Sequence, residues 1–227
     1  MFKFTLVIWI ELICLVICTA SLWSSRQWWR LFIWFMLLTV LTEVTGFLYY
    51  FHINPGHSNE WVYNTYLPLE MAFKALVLAR IMGHYGIKRY WFAGAYILLF
   101  AFWLYEGYSN GFVRYNAMSN LSGSILIVIC CCLFYYRLLR AREYVDLPRY
   151  PPFWIISGLF IFYFGSTGLN AFVVQLQRIY ASTGIPIRFI IMVVLNFILY
   201  ACWSYAFLCI KRNRISLSQS SLLPRSS

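Results

Sequence analysis

Ile125-Leu-Ile-Val-Ile-Cys-Cys-Cys-Leu133 is an unbroken apolar run. A strand lining a membrane barrel alternates apolar and polar residues with a period of two. This run does not alternate, and its flanks extend it to about 117–138, the twenty or so residues that a helix needs to cross a hydrocarbon layer roughly 30 Å thick. In lipid, backbone N–H and C=O groups find partners only within the protein, so such a run reads as a membrane-spanning helix.

Six further stretches have the same character: about 4–23, 29–51, 61–82, 90–107, 152–175 and 187–210. The reading is therefore an all-α, polytopic membrane protein whose residues 1–210 form a single seven-helix domain. Residues 211–227 form a basic, Ser-rich cytosolic tail. Composition agrees. Of 227 residues, 62% are hydrophobic and 11% charged, against about 25% charged in soluble domains. The mean hydropathy is +0.69. The intervening segments are short and carry ordinary breakers: Asn54-Pro55-Gly56, Pro148, Pro151-Pro152, Gly184 and Pro186. No connection is long enough for a soluble domain, and nucleic acid is excluded as a partner by the apolar bulk.

The net charge of +11 becomes an orientation signal once its positions are mapped. Thirteen of the 18 Lys and Arg residues fall on one side: Arg26, Arg30, Arg80, Lys88, Arg89, Arg137, Arg140, Arg142, Arg149, Lys211, Arg212, Arg214 and Arg225. The cytosolic side of a membrane protein is the basic side, so the N-terminus is expected outside and the C-terminus inside. A face this basic is expected to attract anionic lipid headgroups. The first helix is read as retained rather than cleaved, since it holds Glu11 and Cys18-Thr-Ala20 is a poor cleavage site. All seven cysteines fall in apolar stretches, with no CxxC pair, and read as small packing residues.

The polar residues at membrane depth carry the most information. A charge mid-helix costs roughly 2.5–3.5 kcal/mol on insertion scales, so such groups face the bundle interior and mark functional positions by default. Of seven acidic residues, Glu11, Glu43 and Glu70 lie inside expected helices and Glu106 near the end of another. Lys74 follows Glu70 at i,i+4, the favourable order for an ion pair. Asn64, Asn120, Tyr163, Asn170 and Asn196 complete the set of ligand-binding or coupling candidates. Counted at 1.5 Å per residue, most of these fall in the outer half, and the inner half is largely Leu, Ile, Val and Cys. The expectation is a cavity open outward and closed below, with Glu43, Glu70 and Lys74 in one cluster. Pro68 donates no backbone hydrogen bond, which frees the carbonyl of Asn64.

Other chemistries find no support. The last helix has no lysine for a retinal Schiff base. His52, His57 and Glu60 share one outer segment and form a weak surface metal candidate, with no metal or other cofactor expected at the core. No HExxH, phosphate loop or nucleophile elbow occurs, and no catalytic residue is assigned.

Two resemblances follow from particular residues. Thr45-Gly46 and Thr167-Gly168 lie 122 positions apart, and the three helices at each end would then be two bundles joined by the fourth. That 3+1+3 plan resembles SWEET-like sugar carriers and PnuC-like vitamin carriers, and implies a small-solute or proton-coupled carrier. Val62-Tyr-Asn-Thr-Tyr-Leu-Pro-Leu-Glu70 and Phe153-Trp-Ile-Ile-Ser-Gly-Leu-Phe-Ile-Phe-Tyr-Phe-Gly-Ser166 resemble segments of uncharacterised bacterial seven-helix membrane proteins, some of them similar to membrane input regions of sensor kinases. This implies a multi-pass protein of a bacterial inner membrane with a sensing role. The chain carries no kinase or output domain, so a separate signalling or membrane protein is the expected partner. Of the two functions, the receptor-like or accessory protein is preferred over the carrier, because the lower helices offer little polar route.

Overall fold

A computed structural model describes residues 6–25, 27–53, 58–112, 114–141 and 145–220. The described residues are helical and contain no strand. In chain order the helices are α1 (Leu6–Leu22), α2 (Gln27–Leu48, prolonged by a π-helical turn Tyr49–Ile53), α3 (Glu60–Gly83), α4 (Arg89–Ser109), α5 (Ala117–Arg140), α6 (Pro151–Ala171), α7 (Val173–Thr183) and α8 (Ile187–Ser220), with a 3-10 turn at Leu147–Arg149 before α6.

Four segments are long and apolar enough to cross a membrane: Trp28–Ile53, Ala117–Arg140, Pro151–Ala171 and Ile187–Ile215. The apolar α1 has 17 residues; residues 4–5, where its expected span begins, lie outside the described residues. Both α3 and α4 are long enough, at 24 and 21 residues, but less apolar. In α3 the deficit comes from Asn64, Glu70, Lys74, Pro68 and its tyrosines. In α4 it comes from Tyr and Trp side chains, whose amphipathic rings suit an interface as well as a core.

Six helices close a ring, in which α1 packs on α2 and α8, α8 on α6, α6 on α5, α5 on α3, and α3 on α2. Outside the ring, α4 rests against α3 and α5. Close contacts depend on small residues: a Cβ at Gly158 of α6 would meet the Leu199 carbonyl of α8 at 3.2 Å, so the two backbones approach as small-residue interfaces allow. One end of the ring is filled by apolar side chains. Phe35 stacks on Phe73 with centroids 3.9 Å apart, and the buried Phe32 meets Trp203 and Phe207 edge-on at 5.5 and 5.3 Å. The outer surface is also apolar: Trp9, Trp34, Leu98, Ile129, Phe164 and Phe197 are all exposed. An apolar exterior this extensive fits lipid rather than water.

Two segments differ from the sequence expectation. A continuous helix over 152–175 followed by a connection at 176–186 is replaced by a break at Phe172 and a further helix, α7. Polar Gln175, Gln177 and Arg178 make this stretch look like a loop, yet its apolar residues recur at helical spacing and Gly184, at φ +70°, supplies the left-handed stop. The last helix, expected to end at about 210 before a basic, Ser-rich tail, instead continues as α8 to Ser220. Its continuation is tied down where Asn213 Nδ2 donates to the Arg149 carbonyl at 3.3 Å. Residues 221–227 lie outside the described residues.

Candidate functional site

At the other end of the ring lies a cavity of about 590 Å³. All six ring helices contribute to it: Glu11 from α1, Thr39 and Glu43 from α2, Tyr63, Tyr66 and Glu70 from α3, Asn120 and Ser124 from α5, Tyr163, Ser166 and Asn170 from α6, and Asn196 and Tyr200 from α8. Tyr115, between α4 and α5, and Arg188, at the start of α8, stand toward its mouth. Tyr115 lies beyond the helices, and burial pushes its phenol above the usual value, so it stays a neutral hydrogen-bond donor in ordinary buffers. Beneath Glu70 and Tyr200 the aromatic cluster around Phe73 and Trp203 closes the floor.

Each carboxylate is held by a tyrosine from another helix. Tyr200 Oη donates to Glu11 Oε1 at 3.0 Å, Tyr63 Oη to Glu43 Oε2 at 3.2 Å, and Tyr163 Oη to Glu70 Oε1 at 3.3 Å. Glu70 also pairs with Lys74, one turn on. The Lys74 ammonium lies 4.4 Å from the centroid of the Tyr163 ring, so carboxylate and aromatic face share one cation. Lys74 is 3% exposed and sits behind Glu70, outside the cavity lining. Glu11 is 2% exposed, and its second oxygen, Oε2, is buried with no hydrogen-bond partner among the described residues. Gly46 matters to this arrangement: a Cβ there would come within 2.9 Å of Tyr63 Oη, so only glycine leaves that ring room to lie along α2 and reach Glu43.

The residues singled out from the sequence therefore divide. Glu11, Glu43, Glu70, Asn120, Tyr163, Asn170 and Asn196 line one cavity, and Lys74 supports it through Glu70. Within the lining, Asn196 Nδ2 donates to the Met192 carbonyl of its own helix, and Asn170 Oδ1 accepts a long 3.5 Å bond from Arg188.

Asn64 and Glu106 lie elsewhere and do structural work. Asn64 Oδ1 accepts from the Asn116 backbone N–H at 2.9 Å, and its Nδ2 donates to the Arg114 carbonyl at 2.8 Å. Glu106 caps α5, accepting from the backbone N–H groups of Met118 and Ser119 and from the Ser119 hydroxyl. A carboxylate at a helix N-terminus satisfies free donors and complements the helix dipole.

Glu60, proposed as a metal ligand, accepts from the Tyr115 backbone N–H at 2.8 Å. Its suggested partner His57 lies outside the described residues, and His52 is in the π-helical turn. Among the described residues no three His, Cys, Asp or Glu side chains group as a metal site.

Helical spacing already sets Thr39, Tyr63 and Tyr200 on the interior faces of Glu43, Glu70 and Asn196, whereas Tyr66 and Tyr115 belong to the cavity without being singled out by the sequence. Spacing holds a signal for Tyr66, four residues before Glu70 and so on the same helix face. Its hydroxyl lies 2.7 Å from Thr39 Oγ1, a contact between helices that spacing does not reveal. Comparison with family models, curated proteins and solved structures finds no match for this chain.

Proposed function

We propose that this is a receptor-like or accessory membrane protein that binds a small ligand, lipid or partner group in the polar cavity. The observation that carries the reading is the cavity itself: about 590 Å³, lined by three carboxylates, three asparagines and several tyrosines, inside a bundle with an apolar exterior. Membrane proteins bear the cost of such groups where they face an interior site. Ligand sites of this size combine apolar walls with a few fixed polar groups.

In this reading α1–α6 and α8 are the seven spans, the N-terminus is outside, and the cavity opens outward. Lys88 and Arg137 would then meet anionic headgroups on the cytosolic side. The closed aromatic floor favours binding over passage. Sensing, as in the membrane input regions that residues 62–70 and 153–166 resemble, would pass to a separate protein partner. The location is a cell membrane, and a bacterial inner membrane if that resemblance holds.

The test is a thermal-shift screen of the purified protein in nanodiscs, followed by liposome flux of each stabilising compound. A compound that raises Tm saturably and does not cross supports the reading. One that crosses only in the presence of the protein makes it a carrier, and no stabilising compound at all rejects both.

A further inference from the structure

Three Glu–Tyr pairs face the cavity, and one of them already holds a cation. At Glu70 and Tyr163, the Lys74 ammonium bonds the carboxylate and lies 4.4 Å from the ring centroid. Glu11–Tyr200 and Glu43–Tyr63 repeat the same pair of groups, but among the described residues no Lys or Arg forms an ion pair with either carboxylate. The basic residue in the cavity lining, Arg188, is exposed at the mouth and bonded to Asn170. Twelve residues separate it from Tyr200, about 18 Å along α8, beyond reach of Glu11.

Glu11 adds an independent observation. It is 98% buried, lines the cavity, and keeps Oε2 without a donor. A buried acceptor left unmatched is costly, and a charged donor is its strongest complement. The walls supply the other half of cation recognition: the aromatic residues Tyr63, Tyr66, Tyr200 and Phe162 line the cavity.

We propose that the cavity binds a protonated organic amine, its N–H groups donated to Glu11 and Glu43 and its apolar body against the tyrosine and phenylalanine rings. This rests on the binding function proposed above and names the ligand class. A primary or secondary ammonium fits better than a quaternary one, because Glu11 Oε2 needs a hydrogen-bond donor as well as a positive charge.

The test uses the full chain in nanodiscs at neutral pH. Its probes are primary ammonium compounds from butylammonium to 2-phenylethylammonium, their alcohol isosteres, 2-phenylethyltrimethylammonium and 3-phenylpropionate. Saturable stabilisation by an ammonium probe, with the alcohol, quaternary and anionic probes at least tenfold weaker, is the expected result. Glu11→Gln and Glu43→Gln should each weaken that probe tenfold or more, while Asp146→Asn, on the exposed turn before α6, leaves it unchanged. If Glu11→Gln does not fold, Glu43→Gln decides alone. Equal stabilisation by alcohol and ammonium, or a better response to the anion, overturns the amine and leaves the binding function standing. Failure of every probe together with the broad screen overturns both.

Discussion

Gly46 sets where Tyr63 lies, and the size of the competing effects predicts what happens without it. Alanine in place of a helical glycine gains about 0.8–1 kcal/mol of helix propensity. The displaced Tyr63 ring loses its hydrogen bond to Glu43, a net loss of about 0.5–1.5 kcal/mol. The two nearly cancel, so Gly46→Ala should leave Tm within a few degrees of wild type while weakening any cavity ligand that uses Glu43. Tyr63→Phe separates the causes, since it removes the hydroxyl without crowding. If both variants lose the ligand equally, the hydroxyl is what matters; an intact Gly46→Ala rejects the argument.

The Glu70–Lys74 pair gives a second prediction at this scale. Removing one partner of a buried pair leaves an uncompensated charge and costs about 3–5 kcal/mol, whereas removing both is often neutral. Glu70→Gln and Lys74→Met should each lower Tm sharply. The double variant should recover most of the loss, as thermal unfolding of the four proteins will show. No recovery in the double variant would mean that Lys74 is stabilised by more than Glu70, with the Tyr163 ring the first group to examine.

At the scale of elements, the joint between α3, α4 and α5 depends on Asn64. Pro68 frees the Asn64 carbonyl, and Trp103 Nε1 of α4 donates to it at 3.1 Å. The Asn64 side chain ties down the Arg114–Asn116 connection, and Asn116 Nδ2 returns to the Trp103 carbonyl at 3.1 Å. Each buried polar group left unmatched costs about 1–3 kcal/mol, so Asn64→Ala should destabilise by several kcal/mol and open the 110–116 segment to protease. Asn120→Ala, on the cavity wall, should do neither. Equal protease resistance in the two variants would reject the joint.

This is also where the sequence was least legible. Helical periodicity and the cost of a mid-helix charge were enough to point Glu11, Glu43 and Glu70 inward. They also placed Asn64 and Glu106 among the site residues, because a buried polar residue looks the same whether it meets a ligand or a backbone group. Only the contacts between helices distinguish the two. The helix α7 was hidden for a related reason: its 11 residues make only about three turns, and Gln175, Gln177 and Arg178 among them read as a loop.

At the scale of the whole molecule, the number of crossings turns on the 17-residue α1 and on α3 and α4, which are long enough to span but less apolar than the four segments that qualify on length and composition. What matters for insertion is which groups reach lipid, and here the burdensome ones do not. Asn64 is 2% and Lys74 3% exposed, and Lys74 is neutralised by Glu70 one turn away. In α4 the exposed residues include Ile97, Leu98 and Leu104, with Tyr90, Trp91, Tyr105 and Tyr108 near the two ends, the arrangement of an aromatic belt around an apolar middle. Both helices should therefore cross. Reporter fusions check this directly: a cytosol-active reporter should work after Gly86 and fail after Asn110, and an export-active reporter should do the reverse. A reporter pair that reads the same at both sites would leave α4 on one side of the membrane and reduce the spans below seven.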